Sequence, residues 1–439
     1  MPFGAKMTSM DPRTEDTRTI QRSRGLLGTV ALPADKSIAH RAAMFSALGS
    51  GVSHIVGFPD SADPQSTLAC LRQLGVRIEA DDAGLVVYGE GLSGLSPASL
   101  DLDCGNSGTT MRLLAGILAG QSFSSTLIGD ASLSARPMGR VMDPLAQMGA
   151  HFDSNAGRAP LRIIGGHPLK GIEYVLPVAS AQVKSCVLLA GYFAEGTTTV
   201  IETTPTRDHT ERMLGLSNFT IGTENHIFVD GGRTIEPRLW SIPADFSAAA
   251  FFLVAGSIVP DSVIHLPRVG LNPSRTGFID ILRAMGANIT IENERLVSGE
   301  PIADLTVRSA PLVGIQVGGE IIANIIDEIP ILAVAASVAD GETVIREAAE
   351  LRHKETDRIS AMATGLNAIG AQVTEQEDGL TIRGNAKFHG GTVESHHDHR
   401  IAMAMAIAGL VSSKPVTIRG ASVASVSFPS FWEAIEKLS

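Results

Sequence analysis

ADKSIAHRAAMFSALGSG, running from Ala34 to Gly51, opens on charged and hydroxyl side chains, continues through small and aliphatic ones, and closes on glycine. The same plan returns five times: GNSGTTMRLLAGILAG from Gly105, ASAQVKSCVLLAGYFAEG from Ala179, ADFSAAAFFLVAGSIV from Ala244, IDEIPILAVAASVADG from Ile326 and HDHRIAMAMAIAGLVS from His397. The starts lie roughly 65 to 80 residues apart. Each apolar run is about three helical turns long and lacks a polar face, which predicts a helix buried on nearly all sides. Recurrence at a steady spacing predicts a repeat architecture.

Between these copies lies a second recurring unit, a helix that ends on glycine and is followed by an alternating segment. STLACLRQLGVRIE (66–79), MGRVMDPLAQMGAHF (138–152), TGFIDILRAMGANITI (276–291) and SAMATGLNAIGAQVTE (360–375) all show it. The glycine reads as a C-terminal cap and the alternation as a half-exposed strand. Each repeat is therefore a βαβα-type α/β unit with one buried and one outer helix, used six times.

Bulk properties limit what such a chain can do. At 439 residues it is longer than one core usually supports, which predicts two domains. A net charge of -11 excludes a general nucleic-acid or membrane-surface binder, which needs a basic field over a whole face. Anionic small molecules remain possible partners, since they need only a few local arginines. Cys70, Cys104 and Cys186 form no C-x-x-C pair, so neither a disulfide framework nor a zinc site is suggested, and a cytoplasmic protein is expected. Residues 1–24 lack an apolar run of signal-peptide length and read as a flexible lead-in. No stretch reaches the roughly 18 apolar residues of a membrane helix.

Polar residues gather at the start of each apolar run, where unpaired N–H groups and the helix dipole favour anions. Asp35, Lys36, Ser37, His40 and Arg41 open the first run; Asn106, Ser107, Gly108, Thr109 and Thr110 open the second, with Arg112 one turn on. Arg136, before Pro137, is fixed in extended geometry and suited to clamp an anion. Ser180, Gln182 and Lys184 begin the third run, followed by the charged turn Arg207, Asp208, His209, Glu211. Asp327 and Glu328 open the fifth. In LRHKETDRISA, Lys354 and Arg358 are expected one turn apart on one helical face, with Glu355 beside them and an anionic ligand between. His396, His397 and His399 have no H-x-x-x-H or cysteine partner, so no metal is expected.

Taken in order, DKSIAHR (35–41), GNSGTTMR (105–112), RP (136–137), SAQVK (180–184), RDHTE (207–211), KETDR (354–358) and DHR (398–400) resemble the signature of the enolpyruvyl transferases. SAQVK, RDHTE and NPSR (272–275) are similar to the second class of the member that acts on shikimate 3-phosphate. The resemblance implies a two-domain inside-out α/β barrel of six βαβαββ repeats, three per domain. Carried onto this chain, 33–242 forms one domain and 1–32 with 243–439 the other.

The implied reaction moves the enolpyruvyl group of phosphoenolpyruvate onto the 5-hydroxyl of shikimate 3-phosphate, by a monomer that uses no cofactor and no metal. By resemblance Asp327 and Glu355 exchange protons, with Lys36 between the substrates. Arg136, Arg358, Arg400, His399, Gly108 and Gln182 surround phosphoenolpyruvate; Ser37, Arg41, Ser180, Arg207 and Lys354 hold shikimate 3-phosphate. The inhibitor glyphosate occupies the phosphoenolpyruvate subsite in this family, and tolerant second-class members carry alanine where this chain has Gly108.

The chain departs from the family pattern at three places. Ala34 replaces a glycine, Val426 replaces a late lysine, and the helix after Arg207 lacks its usual glycine-alanine ending. Two alternatives stand beside this reading. A UDP-N-acetylglucosamine enolpyruvyl transferase would carry a reactive cysteine in a mobile loop, whereas Cys104 precedes a buried helix start. A non-catalytic phosphometabolite-binding protein would have lost Asp327 and Glu355.

Overall fold

The computed structural model describes residues 16–438. All six apolar runs are helices: Lys36–Leu48, Gly108–Ala119, Ala181–Gly191, Phe246–Ile258, Ile329–Val338 and His399–Leu410. Their alanine-rich faces let the backbones pack closely. At the contact between the second and third of these inner helices, a Cβ added to Gly116 would lie 2.2 Å from the carbonyl oxygen of Cys186. Five of the six starts are capped as the sequence suggests, by Asp35, Ser107, Ser180, Asp245 and Asp398, whose side chains accept from N–H groups of the first turn. The fifth helix begins after Glu328 without a side-chain cap.

Around each inner helix the chain lays a small mixed sheet. Among the described residues, five sheets share one four-stranded plan, a parallel pair followed by two antiparallel neighbours. Their first strands reveal where the chain crosses. Leu27–Thr29 leads into the first inner helix yet pairs in parallel with Val263–Gly270, while Leu239–Ser241 leads into the fourth yet pairs with Ser50–Val56. Between these exchanged strands the two crossing segments bond reciprocally, Asp35 N–H to Pro243 O at 2.8 Å and Asp245 N–H to Pro33 O at 2.8 Å, and Ala34 pairs with Ala244. Ala34 thus sits in extended, paired backbone where no glycine is required.

The sixth sheet has three strands, and its third is Thr17–Ile20, antiparallel to Val416–Arg419. This corrects the reading of 1–24 as a flexible lead-in. From Asp16 onward the segment is structural, with Asp16 accepting from the Ser422 hydroxyl at 2.6 Å; residues 1–15 lie outside the described residues. Two hydrophobic cores result. One gathers Ile38 through Ile242, the other Leu26 and Val30 with Phe246 through Leu438. No helix among the described residues is long and apolar enough to cross a membrane.

Candidate active site

A cavity of about 690 Å³ lies between the two cores, and all six inner-helix starts reach its wall through Lys36, Gly108, Gln182, Asp245, Asp327 and His399. Every residue to which the resemblance gives a role lines it: Lys36, Ser37, Arg41, Gly108, Arg136, Ser180, Gln182, Arg207, Asp327, Lys354, Glu355, Arg358, His399 and Arg400. The wall carries ten lysines and arginines against seven carboxylates, a cationic lining in an acidic chain. Such a chamber attracts small polyanions while the outer surface repels large ones.

Asp327 is the electrostatic centre. Arg207, from the first core, donates to its Oδ2; from the second core Arg358 Nη1 stands 3.2 Å and Lys354 Nζ 3.7 Å from Oδ1, and Arg400 Nη2 3.9 Å from Oδ2. Burial pushes this carboxyl up, but Lys354, Arg207, Arg400 and Arg358 together hold it well below the usual carboxylate range. Burial likewise raises Glu355, and Arg358, His399, Arg136 and Lys36 more than reverse it, leaving the carboxyl depressed. Arg358 serves both acids, donating to Glu355 Oε2 at 2.6 Å, while its Nε donates to buried Asp398 at 2.8 Å.

Around these acids the other cations are partly free. Lys36 Nζ meets Asp63 at 3.1 Å. Arg136 donates to Asn106 at 2.8 Å, and among the described residues its buried Nε has no hydrogen-bond partner. Burial, with Lys36 nearby, holds the His399 imidazole well below its ordinary range, and among the described residues its Nε2 has no hydrogen-bond partner. Burial, with Arg358 and Arg207 nearby, lowers the Lys354 ammonium. Arg41 lies deeper, donating to Thr210 at 2.8 Å and Ser185 at 2.7 Å, and burial brings it down to about 10.

Several local expectations change. Lys354 and Arg358 do not share a helical face: a 3₁₀ turn, Ala349–His353, ends before Lys354, and Asp357 caps a helix that begins at Arg358. The two meet through Asp327 instead. Lys184 begins no part of the cavity wall; it is wholly buried between Glu202 and Glu211. His209 and Glu211 belong to a helix, His209–Leu214, which Gly215 ends in left-handed geometry (φ 60°) without the usual glycine-alanine pair. His396 and His397 adopt positive φ ahead of the sixth inner helix, and no described group of three or more His, Cys, Asp or Glu could hold a metal ion. Val426 closes a 3₁₀ turn away from the wall, and Cys104 is fully buried.

Sequence reasoning passed over Arg112, Arg140 and Arg275 as site residues. Arg112 donates to Gln182 and, mainly through burial and the nearby Arg136, is brought down to about 10. Its place in GNSGTTMR was the available signal. Arg275, the last residue of NPSR, donates to Asp35 at 2.9 Å and so ties the first inner helix to the second core. Arg140 pairs with Glu350 at 3.0 Å across the mouth of the cavity, and nothing in the sequence marks that pair.

Comparison with known proteins agrees with this architecture. Residues 20–435 match the model of EPSP synthase (3-phosphoshikimate 1-carboxyvinyltransferase). A 3-phosphoshikimate 1-carboxyvinyltransferase of Salinibacter ruber is 59% identical over 426 residues, 96% of this chain and 99% of the relative. That of Xanthomonas oryzae pv. oryzae is 53% identical over 414 residues, 94% of each chain. Among solved structures, an EPSP synthase from Acinetobacter baumannii superposes with a TM-score of 0.86 at 46% identity, covering 97% of this chain and 98% of its own. The enolpyruvyl transferase NikO from Streptomyces tendae, at 18% identity and a TM-score of 0.76 over 97% of this chain and 98% of its own, shares the fold.

Proposed function

Since the chain belongs to the EPSP synthase family, we infer how its cavity performs that family's reaction. The enzyme transfers the enolpyruvyl group of phosphoenolpyruvate to shikimate 3-phosphate and releases phosphate, a step of aromatic amino-acid biosynthesis. The UDP-N-acetylglucosamine and non-catalytic alternatives are thereby set aside.

The reaction adds the 5-hydroxyl oxygen to C2 of phosphoenolpyruvate while C3 gains a proton; the resulting tetrahedral adduct then loses phosphate and the C3 proton. It needs a base at the hydroxyl, an acid at C3 and cations around two phosphates and two carboxylates. Asp327, ionised by its four cations, is the base. Glu355 is the acid. In the free enzyme it is ionised too, but phosphoenolpyruvate brings negative charge among Arg136, Arg358 and Lys36, which loosens their hold on Glu355 and raises its proton affinity. Lys36 stands between the substrates and neutralises the departing phosphate. Arg136, Arg358, Arg400, His399, Gly108 and Gln182 surround phosphoenolpyruvate, while Ser37, Arg41, Ser180, Arg207 and Lys354 hold shikimate 3-phosphate.

The observation that carries these roles is the single guanidinium of Arg358, 3.2 Å from Asp327 and 2.6 Å from Glu355, which holds two carboxylates together at the wall of one cavity. Phosphate release with both substrates present, and its loss when either is omitted, tests the reading. Release without shikimate 3-phosphate would refute it.

One chain supplies the whole cavity, so the working unit is a monomer, and sedimentation checks it. Three buried free thiols suit a reducing, cytoplasmic setting. The two expected domains, 33–242 and 1–32 with 243–439, close on the substrates. Scattering should register a smaller radius of gyration with shikimate 3-phosphate bound.

A further inference from the structure

Lys184 lies in the third inner helix, whose start supplies Ser180 and Gln182, yet its ammonium points away from the cavity and has no exposed surface. It stands 2.8 Å from Glu202, 2.6 Å from Glu211 and 3.5 Å from the carbonyl oxygen of Thr206. Glu202 ends the strand Thr197–Glu202, and Glu211 lies in the helix His209–Leu214, so these carboxylates flank the loop 203–208. The Glu202 oxygen that meets the ammonium also accepts from the backbone N–H of Thr206 at 3.1 Å and from the Thr206 hydroxyl. Its other oxygen accepts from Asn225 at 3.3 Å. The next side chain is Arg207, which crosses to Asp327.

A buried ion cluster is a poor stability device, because well-packed apolar residues of similar volume often serve as well or better. What it imposes is geometry, since each member has fixed partners and none can turn to water. We propose that Lys184, Glu202 and Thr206 are positioning residues for Arg207, aiming its guanidinium at the shikimate 3-phosphate subsite and setting its distance from the Ser180–Gln182 helix start. The proposal rests on the reading of Arg207 as a contact to shikimate 3-phosphate.

Thr206→Val tests it, since valine keeps the volume, removes the hydroxyl and leaves Lys184, Glu202 and Glu211 in place. Binding of shikimate 3-phosphate is measured by calorimetry, which requires no turnover, in the wild-type and Arg207→Ala backgrounds. With Arg207 present, Thr206→Val weakens binding about tenfold, the scale of a lost hydrogen bond to a charged group. With Arg207→Ala the same substitution changes binding less than twofold, because nothing is left to position. Lys184→Met, with a lower melting temperature, follows the same pattern in both backgrounds. Equal losses in the two backgrounds, or no loss at Thr206→Val, overturn the positioning role while leaving the activity intact. A wild type that binds no shikimate 3-phosphate overturns the substrate reading and this proposal with it.

Discussion

Arg207 and Asp327, 120 residues apart, pair across the boundary between the two cores, so the cavity's most heavily solvated carboxylate by cations is held from both sides. A carboxylate so placed carries no proton at neutral pH, and shikimate 3-phosphate, by engaging Arg207 and Lys354, loosens their hold and lets it accept one from the hydroxyl brought against it. Asp327→Asn therefore lowers kcat by about 10²- to 10⁴-fold. Substrate KM values change far less, as steady-state kinetics will show. An undiminished kcat removes Asp327 from proton transfer.

Glu355→Gln lowers kcat on the same scale, about 10²- to 10⁴-fold, and has a signature of its own. With the acid gone, the C3 hydrogens of phosphoenolpyruvate no longer exchange with D₂O in the presence of shikimate 3-phosphate. Proton NMR of recovered substrate measures this directly, and persistent exchange assigns C3 protonation elsewhere.

Lys354 controls the alkaline side. Its ammonium is lowered by burial and by Arg358 and Arg207, so it loses its proton below the ordinary lysine value of ~10.4. The sign follows from charge: affinity for shikimate 3-phosphate is complete while Lys354 is protonated and falls as pH rises through its lowered pKa. Lys354→Arg moves that limb to higher pH. Calorimetric binding across the alkaline range checks it, and a limb that stays in place in the variant assigns the titration to another group.

Gly108 governs room at the second helix start. A Cβ there would lie 2.9 Å from Arg112 Nη1 and 3.5 Å from Arg136 Nη1, so a methyl group pushes against the Arg112 guanidinium and fills the space up to contact with Arg136. The wild type is therefore inhibited by glyphosate in competition with phosphoenolpyruvate. Gly108→Ala raises the inhibition constant more than the KM for phosphoenolpyruvate, because the longer inhibitor loses space the substrate does not use. Equal changes in the two constants count against this assignment.

Gly116→Ala tests the fold rather than the chemistry. Its methyl group would meet the Cys186 carbonyl at 2.2 Å, where two inner helices touch backbone to backbone, and neither side can rotate away. Overpacking of this kind costs about 1–3 kcal/mol, read as a lower denaturation midpoint with unchanged slope.

The six inner helices and five of their caps were legible in the sequence because both signals are local: an alanine-rich run without a polar face, and an Asp or Ser a residue before it. That the candidate site residues would gather at one cavity wall was legible for the same reason, since most of them occupy helix starts. Helical spacing nevertheless misled at Lys354, because the helix begins only at Arg358, after its cap Asp357, and leaves Lys354 in extended backbone behind a 3₁₀ turn, where it meets Asp327. Only the tertiary structure shows that Leu27–Thr29 and Leu239–Ser241 exchange sheets, that Thr17–Ile20 completes a sheet with Val416–Arg419, and that Lys184 is buried between Glu202 and Glu211 beside the carbonyl of Thr206. Strand partners and buried ion pairs join residues far apart in the chain. Their choice depends on which edges and charges remain unsatisfied once the helices have packed, a property of the assembled molecule that no local window of sequence contains.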